Sequence, residues 1–184
     1  SWQVLEELRR ICAPDWFALG DRDLAWHLER RRLLDEGKNL TEVTAFFCKM
    51  NAIHSRVLPM SDEAAPTLIR TKEGNWLSFQ DYFVRLKCQP EISEIALTGN
   101  GIAASELVIQ ALQDAELIVF APSNPWVSID PILALGGVRN GLKEKPVLAV
   151  SPIIQGSAVK GPAAKMFSDL GIQPSSEAVR QHYE

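Results

Sequence analysis

From Glu91 onward, short apolar runs alternate with helix-like stretches, and this alternation constrains the fold more than any other feature of the sequence. The apolar runs are Ile92 to Leu97, Leu117 to Phe120 and Val147 to Val150, separated by helix-like stretches at Ala104 to Ala115 and around Ile129 to Leu142. Such runs are typical of strands covered on both faces, and the helices between them provide crossovers. The pattern predicts a βαβαβ unit with neighbouring parallel strands.

The segments that flank this unit show other patterns. In the first half, helix-like stretches predict helices over Trp2 to Ile11, Asp21 to Asp35 and Thr41 to Met50, with Asp21 and Thr41 as N-caps and Gly37 as a stop. Short strands are predicted at Arg56 to Leu58, Pro66 to Thr71 and Trp76 to Phe79, with a turn at Glu73-Gly74-Asn75. After Val150 a loop leads to a short helix over Pro162 to Leu170, which Gly171 ends.

Together these elements predict the α/β class, with a doubly wound, mostly parallel, Rossmann-like sheet, an inserted helical lobe and short strands. We assign residues 1–90 to the helical lobe with its short strand pair, and residues 91–184 to the βαβαβ portion with the strand-end loops. A nucleotide-binding sheet of this kind normally opens with a strand and a glycine-rich phosphate loop, and nothing before Ile92 has that form. We therefore interpret the chain as an internal piece of a longer protein or a truncated copy.

Composition narrows the classes of function. The 184 residues are 46% hydrophobic and 23% charged, as in ordinary globular proteins. Nineteen basic and 23 acidic side chains give a net charge of −4 without long runs of one sign, which argues against a nucleic-acid groove. The three cysteines are odd in number and far apart, which favours a reducing cytoplasm. No apolar run approaches the roughly 20 residues that cross a bilayer, so no membrane anchor is expected.

Two segments follow predicted strands, where ligands of doubly wound sheets bind. The first, Ala121 to Ser128, is stiffened by two prolines and offers Ser123, Asn124 and Ser128 as neutral donors and acceptors for a phosphate or a guanine edge. A proline-punctuated turn in which Ser128 caps the next helix explains these residues equally well.

The second segment, Ser151 to Pro162, brings Lys160 and Gly161 directly before a proline-started helix. Free backbone amides, the helix dipole and the ammonium group all attract phosphate oxygens, so the segment is a candidate anion site. The alternative is a solvated lysine beside an ordinary helix start. The position at a strand end favours the functional interpretation.

Two weaker clusters lie in the first half. Asp21, Arg22 and Asp23 precede His27, and the group could hold a metal or position a hydroxyl, although an acidic helix start with a surface Asp23–His27 pair is the favoured interpretation. Ser61 and Asp62 could contact a polar ligand or simply form a turn. His54 and His182 have no partners at metal-ligand spacing, which indicates surface or packing roles.

Taken in order, these segments and several short neighbours resemble the signature of the 2-phospho-L-lactate transferase (CofD) family. Each motif is weak alone, but the joint order is specific, and the resemblance runs from about Trp2 to Glu184. The segments that carry it are Leu19 to Ala25, Leu58 to Asp62, Phe79 to Asp81, Pro122 to Pro125, Val127 to Ile129, Pro131 to Leu133, Val150 to Ile154 and Lys160 to Ala163.

The resemblance implies a transferase of deazaflavin coenzyme biosynthesis. Such an enzyme moves a phospholactyl or phosphoenolpyruvyl group from a guanosine diphosphate donor to a ribityl hydroxyl of a deazaflavin, and releases GMP with help from Mg²⁺. It further implies ligand contacts by Ser123, Asn124 and Ser128, and donor contacts by Ser151, Lys160, Gly161 and Pro162. Asp21, Arg22 and Asp23 fall on the acceptor side, and Ser61 and Asp62 are also assigned to substrate binding. No nucleic acid or membrane partner is implied, and a homodimer is compatible with the resemblance.

Three positions depart from the family pattern. The family usually has threonine at the position of Trp26, glycine at that of Ala121 and a second glycine at that of Gln155. Trp26 could extend a stacking wall, and Gln155 narrows the backbone freedom of the expected phosphate loop. Two rival interpretations remain, namely a CofD-like regulatory protein that binds a nucleotide sugar without transferase activity, and a degenerate inactive domain.

Overall fold

The computed structural model describes residues 2–99 and 101–184. The chain divides into two compact units between Asp62 and Glu63. Within the described residues, no helix is long and apolar enough to cross a membrane.

The first unit consists of three helices, α1 (Trp2–Arg10), α2 (Asp21–Asp35) and α3 (Leu40–Met50). They lie where the sequence predicts them, and each buries one apolar residue, Leu5, Leu33 and Val43. The predicted strand at Arg56 to Leu58 is wrong, because this segment is irregular.

Both predicted N-caps in this unit are displaced. Gly20 precedes α2 in an extended conformation, and its backbone N–H donates to Asp23 Oδ2 at 3.3 Å. Asn39 precedes α3, where its Oδ1 accepts from the Glu42 N–H at 2.8 Å while Glu42 accepts from the Asn39 N–H at 2.9 Å. This reciprocal pair satisfies two free amides at once, which a cap at Thr41 would not do.

The second unit opens with a three-stranded antiparallel sheet of β1 (Thr67–Thr71), β2 (Trp76–Ser78) and β3 (Ile92–Leu97), in the order β2-β1-β3. The predicted turn joins β1 and β2 with Gly74 at φ +92°. A π-helical turn, Asp81–Arg85, leads towards β3.

The antiparallel position of β3 corrects our prediction that this strand is a parallel neighbour of the later strands. An apolar run encodes a strand but not its partner, and β3 pairs here with β1, in a register that puts Ile69 opposite Ile95. The neighbouring ion pair between Lys72 and Glu91, at 2.7 Å, also matches this pairing. The described residues therefore form a mixed α/β fold with small sheets rather than one doubly wound sheet.

The predicted parallel arrangement of the two later strands is confirmed. Strand β4 (Ile118–Phe120) pairs in parallel with β5 (Val147–Ala149), and Phe120 lies opposite Ala149. Helix α4 (Glu106–Asp114) precedes β4, and Ser105 caps it by accepting from the Val108 N–H. Because parallel strands end at the same edge of a sheet, the segments after β4 and β5 emerge together.

The helical stretch predicted around Ile129 to Leu142 is interrupted. It forms two short helices, α5 (Asp130–Leu133) and α6 (Val138–Leu142). Gly136 leaves the helical path and makes an isolated parallel bridge with Ala103, and Gly137 follows at φ +92°. Glycine adopts this left-handed conformation without steric cost, so the break coincides with the glycine pair.

The last part of the chain supports the core of the second unit. A hairpin of β6 (Ile153–Ile154) and β7 (Ser157–Ala158) is followed by α7 (Ala163–Asp169) and α8 (Ser176–Tyr183). Gly171, at φ +77°, ends α7 as predicted. The buried core joins the antiparallel sheet and its π-helical turn to residue 126 and to the last part of the chain, and it comprises Ile69, Tyr82, Ile92, Trp126, Ile153, Ala163, Met166, Phe167 and Val179.

Gly137 offers a test of how α6 packs on α4. Gly137→Ala should lower the free energy of unfolding by about 1–2 kcal/mol through the left-handed backbone. A further loss of about 0.5–1.5 kcal/mol is expected because Ile109 must leave its preferred rotamer. The reason is that a Cβ at Gly137 would lie 2.8 Å from Ile109 Cδ1.

The matched control is Gly74→Ala, because Gly74 has the same φ of +92° but no atom within 4 Å of the added Cβ. Urea unfolding of both variants measures the difference. Equal losses would contradict tight packing between α4 and α6.

Candidate functional site

The two segments at the carboxyl edge of β4 and β5 form the candidate site of the second unit. We call residues 121–129 the Asn124 loop and residues 151–162 the Lys160 segment. The first follows Phe120 and the second follows β5 and Val150. Their common edge, predicted from the sequence, follows from the parallel pairing of β4 and β5.

Asn124 organises the loop that bears its name. Its Oδ1 accepts from the Trp126 N–H at 3.1 Å, and its Nδ2 donates to the Met166 sulfur, also at 3.1 Å. Pro125 and Trp126 are buried at the start of a π-helical turn that spans Pro125–Ile129. The Asn124 amide, a predicted ligand contact, is thus engaged at both ends within the protein.

Ser123 and Ser128 differ from Asn124. Both side chains are half-buried, and neither hydroxyl has a hydrogen-bond partner among residues 2–99 and 101–184. The alternative in which Ser128 caps the following helix is wrong, since Ser128 lies inside the π-helical turn and its N–H donates to the Asn124 carbonyl at 3.0 Å. These two hydroxyls are the groups of the loop that remain able to bind a ligand.

The Lys160 segment begins as a hairpin rather than as the open loop that we predicted. Gln155, at φ +50°, and Gly156, at φ +78°, form the two-residue turn between β6 and β7. Two positive φ values give the backbone twist that such short hairpins require. Ser151 is used locally, because its Oγ accepts from the Ile153 N–H and donates to the Ile153 carbonyl, both at 3.0 Å.

Beyond the hairpin, Lys160 and Gly161 are exposed and Pro162 is half-buried directly before α7. Gly161 has a φ of +73° and open space around its Cα. No ion-pair partner of Lys160 occurs in the part of the chain that the structure describes. The ammonium group is therefore available to an anion at this edge.

A cavity of about 770 Å³ lies beside the same strands, within the range of small-molecule sites. Phe120, Ala149 and Ser151 line it on the sheet side. Ser151 is the one predicted site residue among its walls. Arg139 and Lys143 also line it, and neither has an ion-pair partner within the described ranges.

The predicted site residues of the first unit lie in the first turn of α2 and in the irregular segment after α3. Asp21, Arg22 and Asp23 are exposed in the first turn of α2. Asp62 accepts from the Thr41 N–H at 2.7 Å near the start of α3, and Ser61 is buried. That these residues share a cleft with the Asn124 loop stays a prediction.

Trp26 forms an aromatic platform on α2. Its ring stacks on Phe47 of α3 with centroids 4.7 Å apart and an interplanar angle of 7°. The side chain is nevertheless 45% exposed. An open aromatic face of this kind can accept a planar ligand ring.

No site for a metal ion is complete within the described residues, where no group of three His, Cys, Asp or Glu side chains converges. Mg²⁺ prefers oxygen ligands in octahedral geometry. Because Mg²⁺ is usually held by one or two carboxylates together with substrate phosphates and water, the expected Mg²⁺ stays a prediction.

His182 forms a part-buried pair that the sequence did not predict. Its Nε2 lies 2.8 Å and 3.0 Å from the two carboxylate oxygens of Asp130. We predicted a surface or packing role for His182 but not its bond to Asp130, because 52 positions separate His182 from Asp130. No spacing rule relates positions so far apart.

Comparison with known proteins identifies the family. The model of the family described as 2-phospho-L-lactate transferase CofD matches residues 3–182. A phosphoenolpyruvate transferase from Mycobacterium avium (strain 104) is 38% identical and is matched over 57% of its own length. A 2-phospho-L-lactate transferase from Methanosarcina mazei is 37% identical, with 61% of its length matched. Both matches cover 100% of this chain.

A structural comparison agrees at the level of the fold. A crystal structure of a UPF0052 family member from Bacillus halodurans superposes with a TM-score of 0.53 at 18% identity, over 65% of this chain and 38% of that one. The chain spans 57–61% of the length of the two sequence relatives. Because the family match extends over nearly the whole chain, this protein belongs to the 2-phospho-L-lactate transferase (CofD) family.

Proposed function

We propose that the enzyme containing this chain transfers a phospholactyl or phosphoenolpyruvyl group from a guanosine diphosphate donor to a ribityl hydroxyl of a deazaflavin. The match of residues 3–182 to the CofD family carries the proposal. In the reaction, the acceptor oxygen bonds to the phosphorus that bears the three-carbon group. The bond from that phosphorus to the bridging oxygen breaks, GMP leaves with this oxygen, and the hydroxyl proton passes to a base.

The chemistry demands alignment of an alcohol with a diphosphate and neutralisation of charge, without a covalent intermediate. On the donor side we place Lys160, Gly161 and Pro162, because an unpaired ammonium and an accessible backbone favour phosphate oxygens. The free hydroxyls of Ser123 and Ser128 supply neutral donors. Asn124 and Ser151 serve mainly by shaping their segments, since their side chains are engaged locally.

On the acceptor side we place Asp21, Arg22 and Asp23, with Ser61 and Asp62 as further substrate contacts. The exposed face of Trp26 supports this assignment, because a deazaflavin ring is planar and aromatic.

Three further features belong to the proposal for the whole enzyme. The first is a doubly wound sheet that contains the parallel β4–β5 pair. The second is Mg²⁺, for which the residues described here supply no complete ligand set. The third is a cytoplasmic location, which the free thiols of Cys12, Cys48 and Cys88 support.

The rival functions differ in their products. A regulatory relative would bind a nucleotide sugar without turnover, and a degenerate domain would bind neither substrate. Incubation of the intact enzyme with donor, deazaflavin and Mg²⁺ tests the proposal by the appearance of GMP and a phosphodiester-linked deazaflavin. Nucleotide-sugar binding without GMP release would overturn it.

Lys160→Ala should weaken binding of the donor far more than binding of the uncharged acceptor. Loss of one charge-assisted hydrogen bond in a partly desolvated site costs about 1.5–3 kcal/mol. This corresponds to an approximately ten- to hundredfold rise in the donor Kd, measurable by titration calorimetry. Higher salt should partly reproduce the effect, because exposed charges are screened.

Lys38→Ala is the control for Lys160, because it removes the same charge from an exposed position after α2. It should leave the donor Kd unchanged. An unaltered donor Kd for Lys160→Ala would mean that this lysine is only a solvated side chain. Equal losses of donor and acceptor would indicate a folding defect.

Trp26→Ala should weaken binding of the acceptor and leave binding of the donor unchanged. Loss of an aromatic stacking contact costs about 0.5–1.5 kcal/mol, so the acceptor Kd should rise about two- to tenfold while the donor Kd stays the same. Trp26→Phe should retain most of the affinity. Deazaflavin fluorescence during titration provides the measurement.

Trp76→Ala is the matched control for Trp26, because Trp76 is 47% exposed and lies in β2 of the other unit. Its acceptor Kd should equal that of the wild type. A similar acceptor loss for both variants would remove Trp26 from the proposed site.

A further inference from the structure

Helix α8 contacts the Asn124 loop at its middle and at both flanks through two consecutive residues, His182 and Tyr183. We infer that these are positioning residues that hold the loop in its ligand-binding shape, an inference that rests on the proposed function. His182 bonds to the residue that follows the loop, and Tyr183 packs on the residue that precedes it.

The first contact fixes the exit of the loop. Asp130 is the C-cap of the π-helical turn and the first residue of α5. The His182 and Asp130 side chains are only 18% and 16% exposed, and Nε2 lies within hydrogen-bond distance of both carboxylate oxygens. Removal of either partner would leave the other polar group largely buried without its bond, which is more costly than the bond alone suggests.

The second contact fixes the middle of the loop. The His182 ring meets Trp126 edge to face, with centroids 5.2 Å apart. On another side Trp126 packs against Phe167 of α7, with centroids 4.3 Å apart. Trp126 is thus held between α7 and α8, while its backbone N–H is held by Asn124.

The third contact fixes the entrance. Tyr183 packs edge to face on Phe120, the last residue of β4, with ring centroids 5.3 Å apart. Burial, together with the Asp130 carboxylate, raises the pKa of Tyr183 to about 12. The raised pKa extends the alkaline range over which the phenol stays neutral, so an uncharged ring makes this contact.

Helix α8 is itself fixed by an N-terminal cap and by a buried core residue. Its N-cap Ser175 accepts from the Ala178 N–H at 2.9 Å, and Val179 is buried in the core of the unit. The free hydroxyls of Ser123 and Ser128 lie between the points at which the loop is held. Their positions relative to a bound substrate are set by His182 and Tyr183. Tyr183 also lines the cavity beside β4 and β5, whereas His182 acts through Asp130 and Trp126.

A stabilising role alone would predict variants that unfold more easily but bind and react normally while folded. A positioning role predicts a local change in the loop and a kinetic defect well below the unfolding temperature. Displacement of binding groups by about 1 Å can reduce turnover on the order of a hundredfold. The two roles are therefore separable by experiment.

The test compares His182→Ala and Tyr183→Ala with Gln181→Ala in the intact enzyme. Gln181 is exposed on the same helix, and within the described part of the chain its side chain bonds only to Glu177, so its variant controls for a change in α8 itself. Hydrogen exchange is followed at the Trp126, Ser128 and Asp130 amides, which are all bonded within the loop segment. Amides of the β1–β3 sheet report global unfolding.

His182→Ala and Tyr183→Ala should speed exchange in the loop about tenfold or more, with little change in the β1–β3 sheet. They should lower kcat on the order of ten- to hundredfold while the urea midpoint still indicates a folded enzyme. His182→Gln should recover much of this loss, because its amide can donate to Asp130. Tyr183→Phe should resemble the wild type, because it keeps the ring contact.

Loop exchange and kcat that match those of Gln181→Ala would overturn the inference. So would faster exchange spread evenly over the unit, because that result indicates global destabilisation alone. Lack of turnover by the wild-type enzyme would instead reject the proposed function. The exchange data would in that case still decide whether α8 holds the loop.

Discussion

The parallel pairing of β4 with β5 is the constraint on which the candidate site depends. Three residues on each strand bring the two carboxyl ends to one edge, so that segments 30 positions apart in the sequence emerge side by side. Had β5 paired in the opposite direction, Lys160 and the Asn124 loop would leave from opposite ends of the pair. The buried contacts of Trp126 and Ile153 with the core then anchor each segment below this edge.

Features encoded by local patterns could be predicted from the sequence. Helix-like stretches gave α1, α2 and α3 within one or two residues, and apolar runs gave β4 and β5. The expected burial of these two strands on both faces is wrong, because β4 is only partly buried and β5 is exposed. The pairing partner of each strand was harder to predict. Strand β3 pairs with β1, whose residues lie more than 20 positions earlier in the sequence. The sequence contains the glycine pair at 136 and 137, but the break between α5 and α6 also involves Ala103, which forms a bridge with Gly136.

The same division holds for the candidate site. The sequence located the Asn124 loop and the Lys160 segment, since proline, serine and glycine after a strand are local signals. The sequence did not reveal that the side chains of Asn124 and Ser151 are hydrogen-bonded within the protein. Nor did it reveal that residues 153–158 form a hairpin. A polar side chain can bond to nearby groups of the protein or to a ligand, and the residue type alone does not decide between them.

The bond between Asp130 and His182 also has an evolutionary consequence. Both side chains are mostly buried, so a substitution that removes one leaves the other with a polar group that water only partly compensates. Neutral drift at either position is therefore restricted unless the second position changes with it. Among relatives of this chain, positions 130 and 182 should vary together, as an inherited pair rather than as two independent sites.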